Sequence, residues 1–174
     1  MANFLQLCDV TVILTCLGLW LGSPLLLSMQ AVSSLVIDVA WDLDLAFRAL
    51  TGRHLMGGTE YMWEARFPLA LRLLSLFHIV WPVLLWGALR RVGYDRRALL
   101  AQALLALVVL ALSRVVQPDA NINFAQTDPF LHRAWGPAAV HVGLTAAALI
   151  VLVYGPTHAL LRRVMPEPRP RVPR

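Results

Sequence analysis

Apolar residues fall into five long runs, each close to the about 20 residues that a membrane-crossing helix requires. The runs extend from about Phe4 to Leu21, Leu25 to Leu50, Phe67 to Leu89, Ala98 to Val116 and Pro137 to Leu161. Gly22-Ser23-Pro24 separates the first two, since glycine is permissive and proline lacks the backbone donor a continuing helix needs. Thr51-Gly52 and Gly57-Gly58-Thr59 punctuate the next loop. The pattern predicts an all-α integral membrane helical bundle with five transmembrane helices. Residues 1–165 form a single transmembrane domain, and the Pro/Arg-rich residues 166–174 are expected to be a disordered cytoplasmic tail. No charge marks Gly22-Ser23-Pro24 as a loop. The alternative is therefore one bent span from about Val10 to Ile37, with Asp38 to Leu50 as an interfacial helix and four spans in all. Gly155-Pro156 predicts a kink in the last run.

Composition agrees with the pattern. Apolar residues make up 59% of the chain and charged residues 14%, with mean hydropathy +0.66, whereas soluble domains run at about 45–50% and about 25%. At 174 residues there is no room for a separate soluble module. The basic residues, 15 in number, are all arginine, and the net charge of +5 raises the question of nucleic acid. The arginines cluster between apolar runs rather than along one polar face, which excludes that partner class and marks them as topology determinants. Arg90, Arg91, Arg96 and Arg97 follow the third run, and Arg162, Arg163, Arg169, Arg171 and Arg174 follow the fifth. Both segments are then cytoplasmic, the N-terminus lies outside, and the more charge-balanced loops 51–66 and 117–136 face outward. Trp20 and Trp86 fall near inner helix ends, and Trp63 and Trp135 near outer ones, as interfacial belts require. Cys8 and Cys16 would lie ~12 Å apart on one helix, too far for a disulfide. The N-terminus lacks a basic n-region, so a removable signal peptide is not expected.

The informative conflict is acidic. Asp38, Asp42 and Asp44 stand beside Trp41 in an apolar run, and an ionisable group at bilayer depth costs about 2.5–3.5 kcal/mol on insertion scales, which makes it a functional candidate. Asp38 and Asp42 share a helix face at i,i+4 and lie roughly 18 Å and 12 Å below Leu50. Arg72, Ser75 and His78 on the next helix lie roughly 8, 12 and 16 Å deep. These residues predict a polar pocket opening outward, with Glu60 and Tyr61 as its lid. Asp38, Asp42, His78 and Glu60 are its candidate catalytic groups, and Arg72, Ser75, Tyr61, Asn121 and Asn123 its candidate substrate contacts. A divalent metal held by Asp38, Asp42 and His78 is one form of this chemistry. The bland reading has Arg72 paired with Asp42 and His78 with Asp38, locking two helices. Interhelical polar contacts in membranes average under about 1 kcal/mol, which is a poor reason to bury charge.

Other chemistries fit less well. Ser75 and His78 share a helix face without nucleophile–base geometry. A bis-His haem is disfavoured because His141, His78 and His158 differ in depth by about 10–15 Å. His54 and His132 read as solvated loop residues, and Asn121 and Asn123 as turn formers if they do not bind substrate. Two rival functions remain. One is an assembly or accessory subunit that docks on a membrane-protein partner, and the other is an ion or proton conduit built by a homo-oligomer.

The strings Gly58-Thr59-Glu60-Tyr61-Met62, Ser75-Leu76-Phe77-His78, Gly93-Tyr94-Asp95-Arg96-Arg97-Ala98-Leu99, Asn121-Ile122-Asn123 and Pro156-Thr157-His158 resemble those of an uncharacterised group of small bacterial polytopic inner-membrane proteins. The resemblance implies a bacterial inner (cytoplasmic) membrane and brings no activity. The expected function is a membrane-embedded Asp/Arg/His site facing the outer leaflet, acting on a lipid-linked or small polar substrate.

Overall fold

A computed structural model describes residues 2–116, 118–129 and 131–168, and all regular structure among them is helical. Helix α1 (Leu7–Leu21) ends where Gly22 takes a left-handed conformation, φ 57°, and Ser23 N–H reaches back to the Gly18 carbonyl at 2.8 Å. That geometry is a helix stop that favours glycine. Ser23 then caps α2 (Pro24–Thr51) by accepting from Leu26 N, with Pro24 at the first helical position, where its missing N–H costs nothing. The pair forms an antiparallel hairpin. Thr11 meets Ser33 at 3.5 Å, and Gly18 lies so close to Leu27 that a Cβ there would stand 3.1 Å from its side chain.

Helix α2 is unbroken over 28 residues, ~42 Å, which exceeds the ~30 Å hydrocarbon thickness. Asp38 to Leu50 continue the helix without a break and form no separate interfacial helix. It is also the hub, packing against α1, α4 (Phe77–Val92), α5 (Ala98–Val116) and α7 (Gly155–Val164). Leu27, Ala31, Val32, Leu85, Leu89, Ala106 and Leu161 are buried in the core around it. Short α3 (Leu69–Leu74) precedes α4, with a break at Ser75-Leu76. Helix α6 (Ala138–Ala148) runs into α7 through a π-helical segment, Leu149–Tyr154. Pro156 explains the segment: its ring crowds the carbonyl four residues earlier, and one wider turn relieves the clash. Gly155 completes that turn by donating to the Ile150 carbonyl, from which a Cβ would stand only 3.0 Å.

Four helical stretches are long and apolar enough to cross a membrane: Pro24–Thr51, Leu69–Val92, Ala98–Val116 and Ala138–Val164. The 15-residue α1 is apolar but shorter. Beside the arginine-rich turn between α4 and α5, the first residues of the expected disordered tail are docked. Tyr94 N–H donates to the Pro166 carbonyl at 2.8 Å, and Arg96 pairs with Glu167 at 2.7 Å. Residues 169–174 of that tail lie outside the described residues.

Candidate functional site

The break at Ser75-Leu76 creates the centre of the site. Ile79 N–H bonds Leu76 O in place of Ser75 O, which leaves the Ser75 carbonyl free to accept from His78 N and from His78 Nδ1 at 2.8 Å. A carbonyl only accepts, so Nδ1 carries a proton and Nε2 is the nitrogen left for chemistry. The imidazole is clamped between two rings, Trp41 at 4.7 Å and Phe77 at 4.1 Å between centroids. Its Nε2 faces Asp38 Oδ1 at 3.9 Å, beyond direct hydrogen-bonding reach. Asp38 is 3% exposed; the Ser34 hydroxyl one turn away faces its carboxylate, and Oδ2 makes no well-formed hydrogen bond. A buried carboxylate and a ring nitrogen thus stand just beyond direct contact, and an approach of about 1 Å would bring them to the distance that general acid–base transfer needs.

Tyr61, in the short 3-10 helix Glu60–Trp63, meets Ser75 and Trp41, the residues that hold the His78 ring. Its hydroxyl faces Ser75 and the Trp41 indole. Burial raises the phenol above its ordinary range, and those two contacts act in the opposite direction. Arg72 reaches up to the same lid and donates to the Met62 carbonyl at 3.3 Å, while its buried Nε has no partner. Asp42 also keeps an unpartnered buried Oδ1. Arg72 and Asp42 make no ion pair among the described residues, because the long arginine side chain is directed at the lid rather than across to α2.

Other expected positions fall elsewhere. Among the described residues no three carboxylate, imidazole or thiol groups converge as metal ligands. The set Asp38, Asp42 and His78 is not assembled: Asp42 sits a turn further out, and the rings of Trp41 and Phe77 cover both faces of the imidazole. Glu60 is exposed, with its carboxylate against Gly57. Ser75 contributes its carbonyl to His78, and its hydroxyl bonds back to Leu71 O.

Asn121 and Asn123 are structural clamps in left-handed conformations. Asn121 Oδ1 accepts from Gln126 N and Thr127 N. Asn123 Oδ1 accepts from Leu7 N, and its amide donates to Leu5 O and Ser113 Oγ. His141 holds the same loop, donating from Nε2 to Phe124 O and accepting at Nδ1 from Trp135 N. His158 bonds Tyr94 OH at 2.6 Å, so neither histidine has two free nitrogens.

Asp44 has a role that side-chain spacing does not reveal. It is fully buried, and Oδ1 accepts from Leu55 N and Met56 N, each at 2.7 Å, and from Gly57 N at 3.2 Å. Oδ2 accepts from Thr59 N, Thr59 Oγ and His54 Nδ1. His54 is thereby part of the anchor and not a freely solvated residue. This carboxylate fastens the whole glycine-rich loop to α2 and so positions the lid that begins at Glu60. Comparison of the chain with protein-family models, with curated proteins and with solved structures found no match.

Proposed function

We propose that this is a five-span protein of a bacterial inner membrane whose outer half holds a proton-exchanging site for the polar group of a lipid-linked or small polar substrate. The N-terminus lies outside and the C-terminus in the cytoplasm. The α1–α2 hairpin supports that direction, since it brings Leu7 to the same end as the loop containing Asn123, opposite the arginine-rich turns. Asp38 and His78 exchange the proton, Tyr61 covers the site, and Arg72 and Asp42 supply the polar rim.

One observation carries the reading: Asp38 is buried beside an imidazole of fixed tautomer and still keeps an oxygen without a well-formed hydrogen bond. A helix lock would pair such a group, because an unsatisfied buried acceptor costs about 1–3 kcal/mol. The accessory-subunit alternative draws less support, since the amides of Asn121 and Asn123 are engaged inside the fold.

The test is native mass spectrometry of protein purified into nanodiscs from its host membrane, alongside an Asp38→Asn/His78→Gln variant. A polar or lipid-linked species retained by the wild type and lost from a well-folded variant is the expected result. Equal retention by both, or by neither, would refute the proposal.

A further inference from the structure

Below the dyad, the central helix carries a longer polar feature. Gln30, Ser34, Asp38 and Asp42 recur every fourth residue on α2, forming one stripe that covers ~18 Å along the axis. Ser34 and Asp38 face each other across one turn without a well-formed hydrogen bond, and both amide atoms of Gln30, Ser34 Oγ, Asp38 Oδ2 and Asp42 Oδ1 are buried with their bonding capacity unfilled. Helix α5 and the π-helical segment pack on the same helix. They bring Gln102, whose Oε1 is also unpartnered and whose side chain meets the Tyr154 hydroxyl. One turn further along the chain from Tyr154, His158 contacts Tyr94 at the inner loop.

Apolar packing does not account for a row of unsatisfied acceptors and donors at successive turns of the most buried helix. Water does, because a buried water typically joins two to four polar groups that would otherwise lack partners. Side chains spaced ~6 Å apart along a helix are within reach of a single bridging water. The π-helical turn adds a local widening beside Gln102.

We infer that this stripe is a hydrated proton path linking the Asp38/His78 dyad to the inner half of the membrane, closed at its outer end by the Tyr61 lid. The inference rests on reading that dyad as proton-exchanging. A proton from the inner solution hops between waters held by Gln102, Gln30 and Ser34 and protonates the Asp38 carboxylate. It then passes to His78 Nε2. One proton leaves the inner solution and one is gained at the dyad, with no other bond made or broken. Polar residues in a membrane interior commonly mark such relays.

The experiment uses liposomes with trapped pyranine, a potassium gradient and valinomycin to drive proton entry. Wild-type protein, with its lid closed, should give the flux of protein-free vesicles, and Tyr61→Ala should raise it about ten-fold or more. Tyr61→Ala/Gln30→Met and Tyr61→Ala/Gln102→Met, each close to isosteric, should return it to the protein-free level. Tyr61→Ala/Leu104→Ala, altered at an exposed apolar position on α5, should keep the raised flux. Absence of flux in Tyr61→Ala, or flux surviving the glutamine changes in monodisperse protein, overturns the path. If one glutamine variant does not assemble, the other gives the answer. Loss of flux on Gln30→Met without any Asp38/His78-dependent ligand would remove the substrate reading and leave the path standing. The reverse result would remove the path alone.

Discussion

Asp44 offers the clearest quantitative test of how the lid over the site is held. Asp44→Ala strips the acceptor from four backbone N–H groups, those of Leu55, Met56, Gly57 and Thr59, and from His54. Each buried donor left unsatisfied costs about 1–3 kcal/mol, but the losses do not add, because the loop can swing out to water. Loop release sets the limit, and removing one partner from a buried charged network costs about 3–5 kcal/mol. At about 1.4 kcal/mol per decade, even the lower figure shifts loop opening by roughly 100-fold. Asp44→Asn keeps an oxygen for Leu55, Met56 and Gly57 but sets an NH2 against Thr59 N–H, so a smaller effect of about ten-fold is expected. Limited trypsin digestion in detergent reads the opening directly, since Arg53 is exposed beside the anchored segment and Arg66 provides an internal reference. Cleavage at Arg53 should track the open population while reclosing is fast. A rate for Asp44→Ala within about three-fold of wild type would show that the carboxylate does not hold the loop, and with it would go the account of how Tyr61 is positioned.

Three further outcomes follow from the fold. Gly93→Ala drives a Cβ into the Glu167 carbonyl at φ 88°, so the docked C-terminal strap should lift. Hydrogen exchange at the Tyr94 amide should then quicken about ten-fold. Asn123→Ala removes the clamp on Leu5 and Leu7, a loss of about 2 kcal/mol, and should lower the melting temperature by about 4–8 °C in a fluorescence melt. Asp95 is held below the ordinary carboxylate range by the Arg97 hydrogen bond, against the effect of burial. A depressed folded pKa gives stability that is present above the unfolded value of about 3.9 and lost as pH falls through the lower folded value. Melts in detergent should therefore show an acid limb below about pH 4 that Asp95→Asn weakens.

The helices differ in how much of them can be read from the chain. Ala98–Val116 is a strongly apolar run without glycine or proline, broken only by Gln102, Ser113 and Arg114, and its ends coincide with the structural helix. The start of α2 is equally legible, because Ser23-Pro24 is a cap followed by a first-turn proline. The break at Ser75-Leu76 is not, since no glycine or proline stands there; it exists because the His78 ring takes the Ser75 carbonyl. Gly155-Pro156 announces a distortion without saying that six residues before it become π-helical. In the site, depth along consecutive helices places Asp38 opposite His78, which are 3.9 Å apart. Depth does not give side-chain direction, so the lid-facing course of Arg72 is invisible in the sequence. Asp44 is the hardest case, because its partners are mostly backbone N–H groups, which every residue except proline carries.

Asp38 and Asp44 lie six residues apart on one helix and are both buried, yet they do opposite work. Burial alone does not separate them; hydrogen-bond satisfaction does. Every oxygen of Asp44 is saturated by donors fixed in the fold, so its charge serves structure and has no capacity left for a ligand. Asp38 has a ring nitrogen just beyond hydrogen-bonding reach, a loosely placed Ser34 hydroxyl and one oxygen without a well-formed bond. The fold therefore uses one carboxylate to make the lid rigid and leaves the other under-coordinated beneath it. Rigid support around an unsatisfied group would keep the proposed proton-transfer site from relaxing into an inert helix-to-helix contact. If both aspartates were scaffolding, converting each to asparagine should loosen the protein comparably. On this account Asp44→Asn loosens the loop, while Asp38→Asn leaves stability unchanged or raises it, because a neutral amide is less costly than a charge to bury without partners.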